Sequence, residues 1–152
     1  MLTRRQTLTA LIAAPAVLTL ARPAFAGQAH FYMEGGVAID GTDPTSYFTA
    51  GAPVAGDDAY SLKWQGAIWR FASAEAQDMF EMNPDRFAPQ YGGYCAWAVA
   101  EGYTAPTVPE AWRIEDGRLY LNFSRRIQRR WERDIPGNIA RGDANWPRVL
   151  SS

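Results

Sequence analysis

One cysteine, one histidine and one lysine are spread over the 152 residues of this chain, and each shortage closes a route. With Cys95 alone, no intramolecular disulfide can form, so stability must come from packing or from a ligand. With His30 alone, placed near the start of the folded part where chain ends are usually loose, the reading excludes both a multi-histidine metal site and a histidine-based catalytic triad. The sequence holds no G-x-S-x-G elbow, no phosphate-binding glycine loop and no C-x-x-C-H haem motif. Acids are plentiful, yet no pair stands out by spacing as a general acid and base, so the reading leans away from an enzyme. Lys63 is the only lysine, and the formal net charge of −1 argues against a dedicated nucleic-acid binder.

What is present begins with a leader. Met1-Leu2-Thr3-Arg4-Arg5-Gln6-Thr7-Leu8 is followed by an apolar run from Ala10 to Leu20 and by Ala24-Phe25-Ala26. This is a charged region, a short hydrophobic region and a small-x-small cleavage point in order. The arginine pair resembles a twin-arginine export signal, and a membrane span would need ~20 apolar residues. The expectation is a signal peptide over residues 1–26, removed to leave one domain over residues 27–152 in the periplasm. No cysteine follows the cleavage point to carry a lipid, so no stable membrane anchor is expected. Loss of Arg4, Arg5 and Arg22 leaves the mature chain more acidic. All six tryptophans lie in it and supply a dense core for its length.

The mature part reads as short strands and short helices. Val37-Ala38-Ile39 is a strand, Asp43-Pro44 a helix start, and residues 50–58 a loop. Tyr60 to Trp64 and Ala67 to Phe71 form a hairpin around Gln65-Gly66. Ser73 caps a helix running to Met82, and Asn83-Pro84 starts one further turn. Tyr91-Gly92-Gly93-Tyr94 reads as a flexible lead into a small-residue helix closed by Gly102. A second hairpin turns at Asp116-Gly117. Ser124 caps an arginine-rich helix with Ile127 and Trp131 inward, Pro136-Gly137 breaks the chain, and a last short helix spans about residues 138–143. The predicted class is α+β, with small antiparallel hairpins packed against short helices.

The stretch from Tyr60 to Phe87, with its hairpin, Phe71-Ala72-Ser73, a helix carrying Phe80, and Pro84 before Phe87, resembles the YHS domain. That small module is often attached to metal-handling proteins. Asp40-Gly41 and Asp43-Pro44 upstream, and Tyr91-Gly92-Gly93-Tyr94-Cys95 through Trp146-Pro147 downstream, are similar to its longer exported form. The core motif would span residues 37–100, with a C-terminal hairpin and helices over residues 111–150. The resemblance implies a treble-clef-related fold and a periplasmic binding or accessory role. Family members that bind metal carry cysteines where this chain has Ala72 and Ala76, so the usual thiolate zinc site cannot be carried over.

Three candidate sites follow. Cys95, at a helix start that would favour its thiolate, could join Met79 and Met82 as a soft set for copper. Core filling is the reading preferred for each of these residues. Tyr91, Tyr94, Trp97 and Tyr103 could line a metal-free ligand or partner surface, glycines 92 and 93 letting a ligand approach closely. Cys95 could also serve as a redox or enzymatic thiol. The arginines from 125 to 133 read as a solvated face or as an anion or partner surface. The cofactor is open, a soft metal ion such as copper being the named candidate. The partner is a small ligand, a metal ion or another periplasmic protein.

Overall fold

The computed structural model describes residues 27–152 and, ahead of them, Ala16 alone; the leader read over residues 1–26 lies outside the described residues. In chain order, β1 (Met33–Glu34), β2 (Val37–Ala38) and β3 (Thr42–Asp43) precede α1 (Ser46–Thr49) and β4 (Val54–Ala55). The long hairpin of β5 (Asp57–Trp64) and β6 (Ala67–Phe71) leads into α2 (Ala74–Met82), α3 (Pro84–Phe87) and α4 (Ala96–Glu101). A second hairpin, β7 (Trp112–Glu115) and β8 (Arg118–Leu121), is followed by α5 (Arg125–Trp131) and α6 (Ile135–Asn145). The class is α+β, as the sequence predicts. No helix among the described residues is long and apolar enough to cross a membrane.

Both hairpins turn on two residues of positive φ, Gln65 and Gly66 at 47° and 82°, Asp116 and Gly117 at 50° and 74°. This geometry matches the right-handed twist of the flanking strands. β1, β2, β6 and β5 form one sheet in that order, antiparallel except where β2 meets β6 in parallel at Val37 and Ile68. Ser73 and Ser124 cap α2 and α5, their hydroxyls accepting from the amides of Ala76 and Ile127 at 3.1 Å each. Gly102, at φ 92°, closes α4 in the left-handed region.

Three expectations are corrected. Asp43 lies in β3 and does not open a helix at Pro44. Its carboxylate accepts from the Thr45 amide (2.8 Å) and hydroxyl (2.7 Å), and from the Ala72 amide (2.9 Å) at the end of β6. The loop read over residues 50–58 contains β4 and the start of β5, because Thr42 and Asp43 pair with Ala55 and Val54. Pro136-Gly137 opens α6 instead of breaking the chain. Asp134 caps it by accepting from the Gly137 amide at 3.1 Å, and proline near a helix start gives up only an amide that has no partner there.

Two apolar clusters fill the interior. One gathers Trp69, Phe71, Phe80 and Phe87 with Phe31 and Tyr47; the other gathers Tyr91, Tyr94, Val99, Tyr120, Trp131 and Val149. β8 joins them. Side chains alternate across a strand, so Leu119 and Leu121 enter the first cluster while Tyr120 enters the second.

The Gly92-Gly93 pair, read as flexible, is buried and fixed at φ 62° and 82°. The Tyr32 amide donates to the Gly92 carbonyl at 2.8 Å, and a Cβ at Gly92 would overlap the carbonyl oxygen of His30. The glycine admits the chain's own N-terminal segment. Gly92→Ala should therefore cost ~3 kcal/mol or more in a urea melt. Gly66→Ala, at a similar φ with open space around it, should cost about 1 kcal/mol. Equal losses at the two positions would remove the packing argument.

Candidate ligand site

A cavity of about 440 Å³ opens where the N-terminal segment crosses the link between α3 and α4 and meets the end of α6. Its size falls in the range of small-molecule pockets. Four separate stretches wall it: His30 and Phe31, then Trp64 and Gln65 at the tip of the first hairpin, then Asp85 with residues 88–92, and finally Asp143 and Trp146. No serine, threonine, cysteine, lysine or arginine lines it.

The N-terminal segment that brings His30 there is tied down along its length. The Gln28 amide donates to the Leu150 carbonyl at 2.9 Å, and the Tyr94 hydroxyl donates to the Ala29 carbonyl at 2.7 Å. His30 itself is exposed but stands edge-on to Phe31 and Trp146, with ring centres 4.7 Å and 5.4 Å away. This corrects the view of His30 as part of a loose end. Phe31 continues the row to Trp64 at 5.4 Å, and Trp146 continues it to Tyr91 at 6.1 Å. The result is an unbroken run of five rings.

Tyr91 holds a left-handed backbone, φ 56°, which a bulky residue adopts only when its surroundings enforce it. Its ring lies over Gly142, where a Cβ would meet the hydroxyl at 2.5 Å. That hydroxyl donates to Asp143 Oδ1 at 2.9 Å. Burial, and then the Asp143 carboxylate that the hydroxyl serves, pushes the Tyr91 pKa far up, so the phenol stays protonated and orients the carboxylate.

The residues singled out in the sequence do not assemble. Cys95 is 1% exposed. Its thiol lies 3.5 Å from Asn122 Oδ1 and accepts from the Phe123 amide at 3.3 Å. Burial raises its pKa despite the opposing backbone amides of Ala98, Phe123 and Trp97. The helix start supplies the expected donors, but desolvation outweighs them, and the thiolate reading is corrected to a buried thiol.

Met79 and Met82, 39% and 87% exposed, flank a different cavity with Phe48 and Phe87, so the three sulfurs do not form one site. The proposed aromatic surface divides as well. Tyr91 and Tyr94 belong to the second cluster and Trp97 packs against it; Trp97 also lines, with the half-exposed Tyr103, a 220 Å³ apolar recess beside Cys95, Phe123 and Ile127. Only Tyr91 reaches the large cavity. Trp64, Asp85, Asp143 and Trp146 were not singled out by sequence as site residues, and His30 was read only as part of a loose segment. The one available signal was Phe31-Tyr32, adjacent large rings that need a surface to dock on. Among the described residues, no cluster of three or more histidine, cysteine, aspartate or glutamate side chains is placed to hold a metal ion.

Cys95 should resist thiol reagents in the native protein and label rapidly in urea; equal rates would show an accessible thiol. Burial also raises the pKa values of Tyr32, Tyr47, Tyr91, Tyr94 and Tyr120. A raised folded-state value means stability that is fully present below the unfolded pKa and lost as pH climbs through the folded one. The urea midpoint should therefore hold to about pH 8 and fall from about pH 9 upward, with a shallower fall in Tyr91→Phe. A midpoint flat to about pH 11 would contradict this.

No family model, no curated protein and no solved structure matches this chain.

Proposed function

We propose that this chain is an exported, non-enzymatic ligand-binding or accessory module of the YHS type that takes a small molecule without a metal. The resemblance over Tyr60 to Phe87 and the arginine-pair leader support the family and the compartment. The observation that carries the binding reading is the 440 Å³ cavity, walled by five neighbouring rings and by two carboxylates. Its wall carries no serine, threonine, cysteine or lysine; its polar side chains are two carboxylates, two amides, an imidazole and a phenol. It does offer stacking surface and hydrogen-bonding groups, the makings of a binding site.

The soft-metal reading has weaker support, since Cys95 is separated from Met79 and Met82 and its thiol is kept protonated by burial. A thiol-based redox role faces the same barrier.

Saturation-transfer NMR with a mixed panel of neutral, anionic and cationic small solutes tests the binding reading. At least one solute should give a signal that Trp146→Ala abolishes and Met82→Ala leaves intact. A response unchanged in Trp146→Ala would move the site elsewhere.

A further inference from the structure

We infer that the cavity accepts a small organic cation of the alkylated-ammonium class, an inference that rests on reading the cavity as a ligand site. Its charges come first. Asp85 and Asp143 are the two carboxylates on its wall, and no lysine or arginine faces them there. The ion pairs among the described residues lie elsewhere, joining Arg70 to Asp58 and Arg113 to Glu115 and Glu132. Arg86, next to Asp85 in sequence, is stacked over Phe87 at 5.3 Å and lines the methionine cavity instead. Arg118 lies near enough to ease the Tyr91 pKa down slightly, as the smallest of the influences on it. It neither lines the cavity nor comes within ion-pair distance of Asp143. Asp143 spends one oxygen on the Tyr91 hydroxyl, and its other oxygen has no hydrogen-bond partner among the described side chains. The cavity therefore holds negative charge that the protein leaves uncompensated, which disfavours an anionic ligand.

The walls narrow the choice of cation. Hard divalent ions take six or more oxygen ligands, water among them, and draw nothing from the aromatic rings that make up much of this wall. Rings attract a different kind of cation, one whose charge is spread over a weakly hydrated, apolar surface, and tryptophan is the strongest such partner. Trp64 and Trp146 are both only half-buried and both face the cavity. They are linked through Phe31 and His30 within the row of rings. An alkylated ammonium group would meet ring faces with its methyl groups and carboxylates with its charge. A sugar would use the rings, Gln65 and Gln90, but would gain nothing from the net charge.

The test is a tryptophan-fluorescence titration of the protein with three probes, namely choline, its neutral isostere 3,3-dimethylbutan-1-ol, and glucose. Choline should give a saturable change, with the isostere weaker by about tenfold or more. Asp143→Asn, which keeps an acceptor for Tyr91, and Asp85→Asn should each weaken choline severalfold, while Asp78→Asn, on α2 and not on the cavity wall, should leave it unchanged. Isostere binding as tight as choline, or glucose saturating the signal where choline does not, would overturn the cation class and leave the ligand site standing. Silence from all three probes would overturn the cation class too, and the mixed-solute NMR panel would then decide separately whether the cavity binds anything.

Discussion

The carbonyl of His30 rests against the α-carbon of Gly92, in space that any other residue's side chain would occupy. Much of the molecule is arranged around that contact. It lets the Tyr32 amide reach the Gly92 carbonyl and lays the N-terminal segment between the two clusters, with Phe31 in the first and Tyr32 packed against the second. The same tight turn leaves Tyr91 with a left-handed backbone, φ 56°, and its ring lies over Gly142 on α6. Two glycines, Gly92 and Gly142, far apart in the chain, thus serve one purpose, to let backbone and ring pass where a methyl group would collide. A close-packed interior passes such a collision on to its neighbours instead of absorbing it.

β8 carries the complementary part of the load. A strand presents its side chains to alternate faces, and here both faces are buried, with Leu119 and Leu121 on one and Tyr120 on the other. The second hairpin is therefore a partition shared by both clusters. Because Cys95 has no cysteine to pair with, cohesion between the clusters depends on this partition and on the N-terminal strap. Large rings give each side of the partition broad contact, with Tyr120 and Trp131 5.1 Å apart in the second cluster and Trp69 and Phe80 5.3 Å apart in the first.

What the sequence discloses is what short-range chemistry decides. Gln65-Gly66 and Asp116-Gly117 are turns because few other residues accept their φ, and Ser73 and Ser124 are caps because their hydroxyls reach amides three residues on. Pro136 shows the limit, since a proline is compatible with ending a helix or with starting one. The choice fell to Asp134, whose carboxylate satisfies the Gly137 amide. The sulfur site failed for a related reason. Met79 and Met82 share a helix, so their proximity to each other was legible, but their distance from Cys95 depends on how α2 and α4 pack against different clusters. The cavity was the least visible feature, being composed of stretches near residues 30, 64, 85–92 and 143–146, none of which carries a motif alone.

That composite origin bears on how such a site would behave. A pocket carried on one hairpin can persist while the rest of a protein loosens. This one is bounded by the N-terminal strap, the tip of the first hairpin, the turn at Gly92 and the end of α6, so it exists only while both clusters are docked. Any molecule that fills it binds the complete fold and not its parts, and its binding energy adds to global stability by mass action. The negative charge there has a consistent explanation in the same terms. Two carboxylates without a lysine or arginine beside them are a small liability, tolerable because Asp85 and Asp143 are exposed to water. A cation held between them and the rings would remove that liability at the point where strap, hairpin and α6 converge.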